Sequence, residues 1–318
     1  MIKVVAAGAI NWDINLFVQR FPKPGEETPV ARIARVPGGK AGNASVAAAR
    51  LLGPGQVGII GALGYDDIAD TQIRLFKDEG VETSAISRKT DAESGQAYII
   101  TEESGENIIH TYFGANAVLE PADVSGTEVR DMIQCAAITV ITDPPQDTME
   151  TITGIAHEAG RLVAWDPGVR AEAGMERLRR VLLCTSYLFL NEAEVEYMTG
   201  ARDPEEAAKR LLTTNPDLTA ILKSGKEGCR VFSAEGTIRI PGIDLTEWGL
   251  KVVNTVGCGD AFLGAFSAGK ALKLSDEEAL RWANWAGALK ATKPETRGAP
   301  TRHELEKWIS RTTNPVKS

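Results

Sequence analysis

Cysteine and histidine are scarce and scattered: four cysteines (Cys135, Cys184, Cys229, Cys258) form no C-x-x-C pair, and three histidines (His110, His157, His303) lie equally far apart. That spacing argues against a structural zinc site and against a disulfide framework. A reducing, cytoplasmic compartment is the expected home. Positive charge is also short. The net charge is −8 and no Lys/Arg-rich block occurs, so nucleic acid is not an expected partner. No apolar run approaches the ~18 residues that signal a membrane span. The apolar start MIKVVAAGAI gives way at once to Asn11 and Asp13, without a basic n-region or cleavage site. It reads as a first β-strand, Ile2–Ala6, and no membrane partner is expected. Fixed-period repeats are absent, and the polar tail after Ser310 is expected to fray.

What is present is an ordinary globular composition, 43% hydrophobic and 25% charged over 318 residues. That suits one large α/β domain with an inserted subdomain. Short apolar runs suited to buried parallel strands recur at Val57–Ala62, Ala137–Ile141, Leu162–Trp165, Tyr187–Leu190 and Ala220–Leu222. Helical stretches alternate with them: Ala44–Leu52, Thr71–Glu79, and Pro204–Leu212 with Asp203 as N-cap. Repeated βα units predict right-handed crossovers and a doubly wound sheet. Two stretches break the rhythm. Asn11–Val36 carries Pro22, Pro24 and Pro29; Gly95–Phe113 reads as strands Gln96–Thr101 and Asn107–Phe113 around a turn at Glu102–Gly105. Together they predict a small β-sheet standing off the core as a lid, an edge extension of the core sheet being the alternative. The expected division is a core of residues 1–10, 37–93 and 114–318, and a lid of residues 11–36 and 94–113.

Two segments carry chemistry. In Asn254-Thr-Val-Gly-Cys-Gly-Asp260 a strand is expected to end near Asn254 and a helix to start about Asp260. Gly257 and Gly259 allow a tight turn with uncovered amides, which the helix N-terminus makes an anion site. A carboxylate there competes with a phosphate unless it is the base that deprotonates an attacking hydroxyl; Asp260 as a plain N-terminal helix acid stands beside that reading. In Gly38-Gly-Lys-Ala-Gly-Asn43 two glycines open a turn, and a small-residue helix begins near Asn43 and stops before Gly53. Lys40 and Asn43 offer donors to a hydroxylated ligand, or Asn43 is an N-cap. Gly53-Pro-Gly-Gln-Val-Gly58 satisfies G-x-G-x-x-G but follows a helix and precedes a strand, the wrong order for a dinucleotide site. Gly39-Lys40 lacks the upstream glycine of a Walker A loop.

In order along the chain, these residues resemble the ribokinase family, also called the phosphofructokinase-B family of carbohydrate kinases. The resemblance is carried by Gly8-Ala-Ile-Asn-Trp-Asp13 with Phe21–Glu26, Gly38–Asn43, Gly114-Ala-Asn116, Asn191-Glu-Ala-Glu194, Lys223-Ser-Gly-Lys-Glu-Gly228 and Asn254–Asp260. It implies a three-layer α/β/α doubly wound sheet with a β lid, and lids that pair in a homodimer. It implies an ATP-dependent kinase with Asp260 as general base and the Gly257, Cys258 and Gly259 amides as anion hole. Asn11, Asp13, Gly39, Lys40, Asn43 and Asn116 would hold the sugar. Asn191, Lys223, Ser224, Gly225 and Gly228 would lie along the nucleotide, and Glu194 would organise Mg²⁺ through water. Asn191 and Glu194 also suit plain helix capping.

Two departures stand out. Asn254 replaces the usual Asp of the second signature, which lies near the ion in members activated by a monovalent cation; losing that charge predicts no potassium stimulation. Cys258 replaces a smaller residue, and a helix N-terminus can lower a thiol pKa, although a space-filling role is expected. A free sugar such as ribose or a related pentose is the expected substrate. Trp165-Asp-Pro-Gly168 and Thr142-Asp-Pro-Pro145 resemble nucleoside kinases of the same family, with Phe17, Tyr98, Tyr112 and Phe113 as stacking surface, so a nucleoside is the alternative. A catalytically silent sugar- or nucleotide-binding regulator on the same fold is the second.

Overall fold

The protein, seen in a computed structural model, is described for residues 1–104 and 106–313, the side chains of 312 and 313 excepted. Its strands run β1 (Val4–Ala7), β2 (Asn11–Val18), β3 (Val30–Gly38), β4 (Val57–Gly64), β5 (Val81–Glu82), β6 (Ile86–Lys89) and β7 (Gly95–Thr101). They continue as β8 (Asn107–Tyr112), β9 (Ile138–Ile141), β10 (Leu162–Trp165), β11 (Tyr187–Asn191), β12 (Thr219–Lys223), β13 (Gly228–Ser233) and β14 (Gly236–Pro241). The main sheet has the order β14-β13-β12-β11-β10-β9-β1-β4-β5, with β6 also on β4. It is parallel except for the β12–β13–β14 edge. Successive residues of one strand face opposite layers: Val4 and Ala6 enter one core cluster, Val5 and Ala7 the other. Helices cover both faces, so the expected three-layer α/β/α architecture is present.

Local chemistry explains the helix starts. Asp203 accepts from Glu206 N at 2.9 Å with Pro204 in the first turn, and Asp66 caps the Asp67–Asp78 helix through Ala69 N at 2.8 Å. The Lys40–Leu52 helix begins at Gly39, earlier than the sequence suggests, so Asn43 is an interior first-turn residue and not an N-cap. Its alanines serve packing: a Cβ at Gly264 of the Cys258–Ala271 helix would fall 2.5 Å from Ala44 O and 2.7 Å from Ala47 Cβ. Small residues on both helices therefore let them touch, and their N-termini meet at one place.

A second, four-stranded sheet has the order β3-β2-β7-β8. It is rooted where β2 follows β1, with Asn11 opposite Gly38 and Gly95 in register. The β7–β8 hairpin forms as the alternation suggests, Glu102 N bonding Glu106 O at 3.1 Å; Gly105 of its turn lies outside the described residues.

Three expectations fail. No strand leads into Asn254. Val252 and Val253 are 61% and 57% exposed with no neighbouring strand, and Val253 N and Asn254 N both donate to Ala291 O instead. The helix behind that turn starts at Cys258 rather than Asp260, because Gly257 at φ 86° serves as its N-cap. The expected fraying after Ser310 is also reversed as far as 313, where the Arg302–Thr313 helix ends; residues 314–318 lie outside the described residues. Among the described residues no helix is long and apolar enough to cross a membrane.

Candidate active site

Adjacent parallel strands bring their C-terminal ends to one edge, where α/β sheets form ligand clefts. Asp143 follows β9, Asp166 follows β10, Asn191 closes β11 and Lys223 closes β12. Asp166, 5% exposed, joins two cations: its Oδ1 accepts from Lys40 Nζ at 3.0 Å and its Oδ2 from Lys223 Nζ at 2.5 Å. Burial alone would raise the Asp166 pKa, but Lys223 and Lys40 overcome it and hold the carboxyl well below the usual range. Burial would likewise lower Lys40, yet Asp166, Asp143, Asp260 and Glu194 outweigh it and keep the ammonium charged. Glu194 Oε1 is 4.0 Å from Lys40 Nζ, and burial, then Asp166, push its pKa up. A Cβ at Gly259 would sit 4.0 Å from Lys223 Nζ, so the glycine turn faces the same cations.

A second cluster adjoins the first. Asn43 Nδ2 donates to Asp260 Oδ2 at 2.7 Å, while Asn43 Oδ1 accepts from Arg297 Nε at 3.1 Å. Arg297 Nη2 also donates to Gly38 O at 2.9 Å, and its guanidinium lies 4.5 Å over the Phe76 ring. Burial lowers its pKa to about 9 against the pull of Asp13. Asp13, 5% exposed, is raised to about 7 by burial, with Arg297 opposing and Asp260 adding to the shift. Asp260 is raised by burial, the Asn43 hydrogen bond and Lys40 opposing. The glycine signature makes room for these charges. A Cβ at Gly38 would meet Asp13 Oδ1 at 2.1 Å, and one at Gly42 would meet Arg297 Nη2 at 2.6 Å.

The remaining candidates are placed less directly. Asn116 spends its amide on Ile10 N and O, Phe113 O and Asn11 Oδ1, at 2.9–3.2 Å, and so orients Asn11. Asn191 and Glu194 form a full capping box at the start of the Glu192–Thr199 helix. One Glu194 oxygen takes the Asn191 N–H; the other faces Lys40. Of the three turn amides, Cys258 N is committed to Thr255 O at 3.2 Å, while Gly257 and Gly259 flank it. Ser224 and Gly225 form the turn after β12, where Ser224 N bonds Gly228 O at 2.9 Å; a Cβ at Gly228 would fall 2.1 Å from Ile240 O. Gly39, at φ 85°, lies against Asn11 N.

Sequence reasoning missed Asp166 and Arg297. Asp166 lies in the Trp165–Gly168 stretch already noted, and a charged residue directly after a buried strand was its signal. Arg297 is 8% exposed in an irregular segment and had no local signal.

An acid at the meeting point of two helix N-termini, with paired ammonium groups beside it at the carboxyl edge of a doubly wound sheet, defines a phosphotransferase with an alcohol group as acceptor. Residues 1–308 match the pfkB family carbohydrate kinase domain, and the chain belongs to that family. It is 28% identical over 310 residues to the ATP-dependent ribose-1-phosphate kinase of Halopiger xanaduensis, covering 98% of this chain and 99% of that protein. It is 28% identical over 311 residues to the ribokinase of Bacillus subtilis, covering 98% and 100%. The structure of Arabidopsis thaliana ribokinase complexed with ribose and ATP aligns with a TM-score of 0.85 at 24% identity, covering 97% of this chain and 99% of that one. The ribokinase resemblance read from the sequence, and the fold it implied, are thereby confirmed.

Proposed function

We propose that this sugar kinase transfers a phosphoryl group from ATP to a hydroxyl or hydroxymethyl group of ribose or a related pentose. The observation that carries the reading is the convergence of Asp13 and Asp260 on one cleft, two carboxyls each raised by burial, with Asp260 adding to the rise at Asp13 and Asp166 to that at Asp260. Asp13 would accept hydrogen bonds from sugar hydroxyls. Asp260 would take the proton of the attacking hydroxyl, and its raised pKa suits a base that must work near neutrality. Lys40, Lys223 and the Gly257–Gly259 amides would offset charge on the phosphoryl oxygens as the bond forms. Magnesium asks for one or two carboxylates plus phosphate oxygens. Glu194, with one oxygen free of its capping bond, fits that demand, whereas both oxygens of Asp166 are taken by Lys40 and Lys223; the ion would supply charge neutralisation of the triphosphate.

The free pentose is favoured over a nucleoside because one of the aromatic faces a base would need is taken: Arg32 lies 3.7 Å from the Phe17 ring centroid. A second reading is a pentose already phosphorylated at C1. Arg170 favours it, since its Nε is buried without an acceptor four residues beyond Asp166, and the Halopiger relative is named for such a substrate. Incubation with Mg-ATP and ribose, other sugars, nucleosides or ribose 1-phosphate, following ADP release, separates these readings. No turnover with any would favour a silent binding protein. Asp260→Asn should cut kcat by about 10²–10⁴-fold while sparing binding; an active variant refutes the base assignment. The second sheet leaves Ile33, Ile109 and Tyr112 exposed at 47%, 52% and 47%, which supports pairing of two such sheets in a homodimer.

A further inference from the structure

Lys290 is the one charged side chain of the Asp276–Ala291 helix to be fully buried among the described residues, 0% exposed. Its ammonium points at the segment that leads into the glycine turn and donates to Asn254 O at 2.8 Å. Asn254 in turn gives its side-chain amide to Pro294 O at 2.8 Å and accepts from Val256 N through Oδ1 at 3.0 Å. Ala291 O takes two N–H groups, from Val253 at 2.7 Å and Asn254 at 3.1 Å. Gly257 presses so close that a Cβ there would fall 2.5 Å from Thr296 O. The turn is thus clamped onto residues 290–296, with Lys290 at the centre of the clamp.

A monovalent ion at this place would need a set of free carbonyl oxygens and would be helped by a nearby carboxylate. Neither is offered. The carbonyls of Asn254, Ala291 and Pro294 each accept from a nitrogen, and residue 254 is a neutral amide. The donor set does not fit a potassium ion, and an ammonium stands where one would act. Burial of a lysine without a carboxylate on its nitrogen is costly, so its retention asks for a reason. A fixed positive charge behind a turn whose amides face developing negative charge supplies one.

We propose that the Lys290 ammonium is a tethered cation that substitutes for a monovalent metal ion, fixing the Asn254–Gly257 segment and adding positive potential behind the Gly257–Asp260 turn. Lys290 is a positioning residue: it reaches the reacting atoms only through Asn254 and the turn. The inference deepens the site reading given above and rests on it.

The test is steady-state kinetics on the sugar that the wild-type protein turns over, in sodium, potassium and ammonium chloride at matched ionic strength. Wild-type kcat is expected to be the same in sodium and potassium. Lys290→Met is expected to lose about 10- to 100-fold in kcat, as supporting residues of charged sites do, with the sugar KM little changed and part of the loss restored by potassium or ammonium. Saturable potassium stimulation of the wild type overturns the proposal. So does a Lys290→Met protein with wild-type kcat, or a kcat loss that no cation restores, which would make Lys290 a packing residue. Should Lys290→Met not fold, Lys290→Gln keeps a donor for Asn254 O without the charge and reads the same quantities. Absence of turnover with every sugar refutes the kinase reading itself; turnover with potassium stimulation refutes only this inference.

Discussion

Asn43 and Asp260, 217 positions apart in the chain, meet through a 2.7 Å hydrogen bond that leaves only one oxygen of the acid for a substrate. The orientation of the amide is decided by its other side, because Arg297 can only donate and therefore holds Asn43 Oδ1. Arg297 should then matter for turnover through its hold on Asn43. Arg297→Met is expected to lower kcat by about 10- to 100-fold. It should also cost about 1–3 kcal/mol of stability for each of Asn43 Oδ1 and Gly38 O left without a donor. Urea unfolding and steady-state kinetics on one preparation measure both; normal kcat in a destabilised variant would reduce Arg297 to a structural role.

Asp13 binds its proton near pH 7 in the folded chain against 3.8 for an ordinary aspartate. Between those values the folded state holds a proton that the unfolded state has released, so the contribution of Asp13 to stability falls as pH rises across that window. Asp13→Asn should remove the penalty and be the more stable protein by about 1–3 kcal/mol at about pH 8, with the difference vanishing toward pH 4. Sugar binding should move the other way: kcat/KM of the wild type should decline below about pH 7, where a protonated Asp13 loses acceptor capacity. Equal melting of the two proteins at both pH values would contradict the assignment.

Much of this was legible because the relevant pattern is local. Alternating βα units gave the layers, since strand burial and helix caps are written in a few neighbouring residues, as at Asp203–Pro204. The glycine signatures were legible for a different reason than first read. Gly38 and Gly42 leave space for Asp13 and Arg297, a volume requirement that sequence shows only as the absence of a side chain. Asn254 was misread as a strand end because Val252 and Val253 look β-like, whereas no neighbouring strand exists to pair with them. Arg297 and Lys290 were invisible because their partners are distant in sequence: 254 positions for Asn43 and 36 for Asn254.

Asp166 holds Lys40 and Lys223 at one point, so removing its charge leaves two ammonium groups crowded and partly buried. Asp166→Asn is expected to destabilise the fold by about 3–5 kcal/mol, the usual cost of breaking a buried ion pair. Its effect on turnover should be felt at the nucleotide: KM for ATP should rise and kcat should fall by about 10-fold or more as the lysines lose their alignment. Unchanged nucleotide kinetics in the folded variant would mean that the lysine pair does not serve the phosphates.

Cys258 sits in the first turn of its helix, a place that can acidify a thiol, but the opposite is found. Burial raises its pKa, Lys290 opposes and Asp260 adds to the rise. The thiol is therefore expected to stay protonated and inert at neutral pH, where the thiolate is the nucleophile. Exposed Cys135 offers a comparison within the same molecule. Iodoacetamide followed by peptide mapping should label Cys135 and leave Cys258 unmodified with or without ATP. Cys258→Ala, which keeps the turn and removes only the thiol, should retain kcat within about twofold and lose no more than about 1 kcal/mol of stability. Labelling of Cys258 as fast as Cys135, with protection by ATP, would show instead that the helix N-terminus outweighs burial and that the thiol is available for reaction.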